Sequence, residues 1–211
     1  MPTEYTVQRS WRKSVSMKVR DGKLYVYAPW LTTDAEIRRL VASHQRWIAR
    51  QLSRENNNIN YDLEKDSHVF ILGRKYDLKV QTGGNWKMEF AGDTLTLHGR
   101  SIDSIDRHFR EYLISLIEPH VRQIRDRLAM GFEVRYRFYK SRWGCCFHRK
   151  NLIVLNYLLG CVDEGCIREV ICHEICHFKV HNHQKAFYSA LEKLCPDYRQ
   201  WVRQLKKYTI S

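Results

Sequence analysis

Apolar and polar residues alternate along the first part of the chain and recur at helical spacings along the second. Val15, Met17 and Val19 alternate with polar neighbours, and Leu24 and Val26 resume the alternation after Asp21-Gly22. That dipeptide suits a two-residue hairpin turn. At Thr33 the period changes, because its hydroxyl and the Glu36 carboxylate three positions on form a capping box. A helix should then run through residues 35–56 and end in the polar run Asn56-Asn57-Asn58. Four short strands follow, "HVFILG", "YDLKVQ", "WKMEFAG" and "TLTLHG", joined by glycine-bearing turns.

The second part reads differently. A helical pattern extends from Ser104 to Met130 and closes at Gly131, with Pro119 as a candidate kink. The strands "FEVRYRFY" and "LIVLN" lead to a further helix from Asp163 to Lys179, acidic at its start and basic at its end, as the helix dipole favours. On it Ile167, Val170, Ile171, Ile175 and Phe178 recur at spacings of three and four, so one face is buried. The pattern predicts an α+β fold: a β-rich, antiparallel N-terminal region with one helix over residues 1–100, and a helical region with a short sheet over 101–211. Neither an internal repeat nor a low-complexity tract is visible.

The last predicted helix carries the chemistry. The stretch "ICHEICHFKVHNHQKAF" holds four of the ten histidines, and within it His173-Glu174-Ile175-Cys176-His177 matches H-E-x-x-H. Histidines four apart share one helix face with the glutamate beside them, the arrangement of a zinc site with a general base. By chance alone about 3 per cent of such chains would contain the pattern, so its context has to decide.

A third ligand is required. His181 lies on the same stripe, but on a straight helix its alpha carbon is about 9 Å along the axis from an ion shared by His173 and His177. A Zn–N bond of about 2.0–2.1 Å does not span that. The chain must turn back, and Asn182 is a residue that tolerates left-handed backbone at a helix end. His183 follows it, ten positions after His173, which is the ligand separation of the metzincin pattern, although Val180 stands where that pattern has glycine. Glu192, on a following helix, is the rival third ligand, as in sites built from two histidines and a glutamate.

Further motifs surround this one. The string from "KSRWGCCFHRKNLIVLN" through the histidines to "CPDYRQWVRQL" resembles the YgjP-like metallopeptidase family, whose pattern reads approximately SRWGSC, an I-x-L-N strand, HELxHxxxxNHxxxFW and PDYR. Ser141, Arg142, Trp143, Gly144, Cys146, Asn182, His183, Phe187, Pro196, Asp197, Tyr198 and Arg199 match, whereas Cys145 replaces a serine and Tyr188 a tryptophan. "RSWRKSVSMKVRDGKLYVYAP" and "HVFILGRKYDLKV" are similar to the family's opening hairpin and its L-G-x-x-Y strand pair, so the resemblance covers nearly the whole chain. It implies a zincin-like catalytic region, one zinc ion held by His173, His177 and His183, Glu174 as catalytic base, and a peptide or protein substrate. Other divalent transition metals also suit imidazole ligands.

Charge and cysteine usage refine the partner classes. The chain has 211 residues, a net charge of +13 and an isoelectric point near 9.5. Arginines recur at positions 38, 39, 46, 50 and 54 and again at 122, 125 and 127, so nucleic acid or nucleotides are candidate partners through a basic surface. This leaves a metal-dependent nucleotide phosphohydrolase, or a protease acting near nucleic acid in the manner of the similar SprT-like proteases, as alternative readings. A binding module with structural zinc fits less well, because structural sites are closed by four protein ligands. Strand edges ahead of such a helix can carry an extended peptide, which makes Arg142-Trp143-Gly144 a candidate part of the site. The seven cysteines all lie in the last third without a C-x-x-C pair, so packing rather than a disulfide framework is expected, with Cys172 and Cys176 as core thiols. No apolar run reaches the roughly 20 residues of a membrane span and no signal-peptide order opens the chain, which points to a cytoplasmic protein without membrane contact.

Overall fold

The computed structural model describes residues 4–20, 23–56, 59, 61–65 and 68–210. The Asp21-Gly22 turn and Asn57-Asn58 lie outside them. Among the described residues, no helix is long and apolar enough to cross a membrane. The fold is mixed α+β, in two compact units, residues 1–58 and 59–211. The change of period near Arg100 lies within the second of these units. The strands of residues 68–99 share a core with the helices that follow, and a boundary drawn from the change of period alone misses that shared burial.

In the first unit, strands β1 (Tyr5–Ser10), β2 (Ser16–Arg20) and β3 (Lys23–Pro29) form a sheet in the order β1-β3-β2. Leu24, Val26 and Ala28 alternate inward and are fully buried. Ile37 of helix α1 (Asp34–Ser43) and Ile48 of helix α2 (Gln45–Asn56) close that core. The capping box forms as expected: the Glu36 amide donates to Thr33 Oγ1 at 3.3 Å, and the Thr33 amide donates to Glu36 Oε2 at 2.8 Å. The single helix expected over 35–56 is instead divided at His44, whose ring Nδ1 lies 2.9 Å from the Leu40 carbonyl.

The second unit opens with β4 (His68–Ile71), β5 (Arg74–Thr82), β6 (Lys87–Ala91) and β7 (Thr94–Gly99), ordered β4-β5-β7-β6. Helix α3 (Ile102–Leu128) follows. It starts at Ser101, whose hydroxyl accepts the Ser104 amide at 3.2 Å, and it continues through Pro119. Its cap is Ala129, in left-handed backbone at φ 48°, two residues before the glycine expected to end it. Ile105, Phe109, Leu113, Ile117 and Val121, one turn apart, are completely buried along a single stripe. Strands β8 (Glu133–Arg137), β9 (Gly144–Phe147) and β10 (Leu152–Asn156) form a sheet ordered β8-β10-β9, and α4 (Glu164–Cys176), α5 (Lys185–Leu194) and α6 (Tyr198–Leu205) complete the unit.

Strand pairing is not purely antiparallel. In each sheet a strand is followed by a hairpin whose second strand inserts beside it in parallel: β3 beside β1, β7 beside β5 and β10 beside β8. A period-two pattern fixes which face is buried and says nothing of the pairing partner. The same insertion leaves β9 at a sheet edge.

Asp163, just ahead of α4, fixes that helix in place. Its Oδ2 accepts from the Tyr208 hydroxyl at 2.7 Å and from Gln204 Nε2 at 3.0 Å. The β4–β5 turn packs against the same carboxylate through Gly73, at φ 82°, where a Cβ would lie 2.8 Å from Asp163 Oδ1. Trp201 of α6 lies directly on Gly165 of α4, again leaving no room for a side chain. The helix bearing the histidines is thus clamped at its start by the unit's opening sheet and its closing residues.

Candidate active site

α4 is shorter than its periodicity suggests. It ends at Cys176, and tight turns carry the chain on, with the His177 amide bonded to the Glu174 carbonyl, Phe178 to Ile175 and Val180 to Cys176. The reversal is made by this tightening and not by left-handed backbone at Asn182, which has no positive φ. The early end turns the following chain back towards the helix.

That reversal brings His183 to His173, with their Nε2 atoms 3.0 Å apart. One nitrogen from each of His173, His177 and His183 lies within 4.8 Å of the others. His181 is held outside: its Nδ1 donates to the His177 carbonyl at 2.9 Å and its ring stacks on His148 at 4.0 Å. Glu192 is not in the cluster either, since its carboxylate is exposed and faces Arg199 at 3.6 Å.

The cluster's electrostatics suit uncharged donors. Burial and the two neighbouring imidazoles lower His173 to about 4, and burial also lowers His177. Nδ1 of His177 donates to the Val180 carbonyl at 3.0 Å, which leaves Nε2 facing the cluster. Nδ1 of His173 faces Glu169, one turn earlier on α4, at 3.8 Å. Glu169 is 3 % exposed, its Oε1 has no hydrogen-bond partner, and burial pushes its carboxyl up to about 7. The sequence reasoning passed over Glu169; its signal was a glutamate four residues before the first histidine, on the same face.

Glu174 is 7 % exposed, and burial, then the neighbouring Glu169, raise it to about 7 against the opposing charge of Arg142. Its side chain lies on the backbone of β9. A Cβ at Gly144 would be 2.8 Å from Glu174 Cγ and Oε1, so the glycine of the R-W-G stretch is required by this approach. Asn156, fully buried at the end of β10, positions the preceding loop, donating from Nδ2 to the carbonyls of Tyr139 at 2.8 Å and Arg142 at 3.1 Å. The amide of Asn156 bonds the Trp143 carbonyl at 2.8 Å. This residue closes the I-x-L-N stretch and serves the site from a distance.

Two cavities meet at Arg142, Gly144, His173 and Glu174. One, of about 490 Å³, also takes in His148, His177, His181 and His183 with Cys145 and Cys146. The other, of about 400 Å³, extends between α4 and α6. Burial and Glu174 push the Cys146 thiol up to about 12, so it enters the cavity as a neutral group. All seven cysteines are free, and Cys172 and Cys176 are buried in the core as expected.

Three converging imidazoles beside a buried carboxylate form an arrangement that could hold a metal ion next to a proton acceptor. The chain belongs to the YgjP-like family, whose metallopeptidase domain matches over residues 13–208, and it is a hydrolase of that class. No curated protein matches it significantly. Among solved structures, the metallopeptidase zymogen abylysin of Pyrococcus abyssi aligns at a TM-score of 0.37 and 17 % identity, over 45 % of this chain and 99 % of that one.

Proposed function

We propose that the chain is a zinc-dependent peptidase in which His173, His177 and His183 hold the metal and Glu174 is the general base. The observation that carries this reading is the convergence of three imidazole nitrogens beside Glu174 and below an open strand edge. The three nitrogens lie within 4.8 Å of one another, and the nearest pair has about the spacing of two ligands on one ion. Two ligands on a tetrahedral zinc with bonds of about 2.0–2.1 Å sit about 3.3–3.4 Å apart, and His173 and His183 approach to 3.0 Å. An all-nitrogen set suits zinc, and also nickel, copper or cobalt. When bound, the ion supplies a Lewis acid that acidifies water and polarises a carbonyl.

The remaining chemistry belongs to the protein. Glu174 accepts a proton from the attacking water and delivers it to the departing amine, a task suited to a carboxyl held near neutrality. Arg142 favours its ionised form. The Val180 carbonyl fixes the ring of His177 from behind, and the Glu169 carboxyl stands 3.8 Å behind His173 Nδ1. β9 offers main-chain groups to an extended peptide, which would then lie across Glu174.

The test compares hydrolysis of unstructured protein, with and without DNA, and of nucleoside triphosphates, each with and without chelator. Chelator-sensitive cleavage of protein supports the reading, and activity on nucleotides alone overturns it. Metal content discriminates the ligands: His183→Ala should lose the ion, while His181→Ala should keep it.

A further inference from the structure

The two cavities that meet at Glu174 differ in character. The one towards the histidines is lined by imidazoles and thiols. The one towards α6 has walls of Trp143, Val170, Val202, Leu205 and Tyr208, and Glu169, His173 and Glu174 also line it. Arg142 lies where the two join, and Lys206 also borders the α6 cavity. Resting on the peptidase reading, we infer that this cavity is the specificity pocket, and that the substrate class is polypeptide with a large aliphatic or aromatic residue flanking the bond that is cut.

Position comes first. The cavity shares His173, Glu174 and Gly144 with the reaction centre, so a residue adjoining a carbonyl held there has its side chain at the pocket mouth. Size agrees, since about 400 Å³ is within the range of small-ligand sites and ample for a leucine or phenylalanine side chain. The walls also decide between chemistries. An acidic side chain would have to approach two buried carboxyl groups, Glu169 and Glu174, with no cationic side chain except at Arg142 and Lys206. A basic one would meet those two cations in the same lining. An apolar side chain meets neither obstacle and gains by leaving water. The walls are moreover firmly held. Tyr208 is tied to Asp163 by its hydroxyl, and α6 is seated on α4 through Trp201 against Gly165. A pocket with fixed walls discriminates by shape, and each methylene gained or excluded changes the rate by about 10–200-fold.

The experiment maps cleavage sites in a peptide library by mass spectrometry, using the zinc-loaded protein and two variants, Val202→Phe and Leu205→Ala. In parallel, calorimetry on the zinc-loaded Glu174→Gln protein measures binding of uncut peptides that differ only at the residue beside the bond. The expected result is enrichment of Leu, Met or Phe at one flanking position. Val202→Phe, which fills the pocket, should lower the preference for those residues over Ala about tenfold. Leu205→Ala, which enlarges it, should move preference towards larger aromatics, and it decides the matter if Val202→Phe fails the circular-dichroism check of folding. Peptide cleavage without apolar enrichment, or enrichment that neither folded variant alters, overturns the pocket and leaves the peptidase reading standing. Absence of any peptide cleavage or binding removes both.

Discussion

The two units of the chain differ in what their cores support. In the first, Leu24, Val26, Ala28, Ile37, Val41 and Ile48 make up the buried core among the described residues. In the second, one continuous core runs from Val69 of β4 through the α3 stripe and Ile153 of β10 to Ile171 of α4 and Phe187 of α5. Phe187 contacts the rings of all three clustered histidines, at centroid separations of 4.6–4.8 Å. The site is therefore an outcrop of the larger core. A small core limits the stability a unit can reach alone, while a large one can hold polar groups in unfavourable surroundings such as those of Glu169 and Glu174.

The comparison breaks most severely at Glu174. Glu174→Gln keeps shape and hydrogen bonding without basicity, so hydrolysis should fall about 10²–10⁴-fold while elemental analysis still finds the metal. Equal loss of metal would show that Glu174 acts structurally. Next comes the support beneath the site: Phe109→Ala, at a fully buried position of α3, should cost about 3–5 kcal/mol in denaturant unfolding. If that change left stability unaltered, the second unit would not be the cooperative block described.

Smaller again is the effect of Glu169→Gln. It removes the ionisable carboxyl 3.8 Å from His173 Nδ1, and metal affinity measured by chelator competition should weaken about 10–100-fold. Unchanged affinity would assign Glu169 to packing alone. The smallest effect belongs to the first unit. Thr33→Ala removes the capping box of α1 and should cost about 1 kcal/mol, with metal affinity unchanged. Altered affinity would mean that the units are coupled more closely than their separate cores suggest.

Much of this was legible before any coordinates, for local reasons. The Thr33–Glu36 box, the inward alternation of Leu24 and Val26, and the i, i+4 histidines are set within a few residues of chain. The spacing argument against His181 assumes a straight helix, whereas α4 ends at Cys176, and the chain beyond it brings His183, not His181, to the cluster. What stayed hidden depends on distant partners. β9, with the sequence GCCF, has no alternation to announce it and exists because β10 pairs with it. β1 is likewise defined by its parallel partner. The compact units that meet at 58/59 leave no local signal, because the shared core joins strands to helices that local periodicity treats separately. Asn182 suggested a left-handed turn, but the backbone reached the same reversal by closing hydrogen bonds over fewer residues.

The junction at Asp163 also has a temporal consequence. Its carboxylate is shared with Gln204 and Tyr208, 41 and 45 positions further on, while the turn at Gly73 comes from 90 positions earlier. Contacts so distant in sequence form late, after the loop-closure entropy between them has been overcome. On the ribosome the helix of histidines is made well before the residues that anchor its start. A nascent chain thus carries the motif before the residues that anchor the start of its helix have been made.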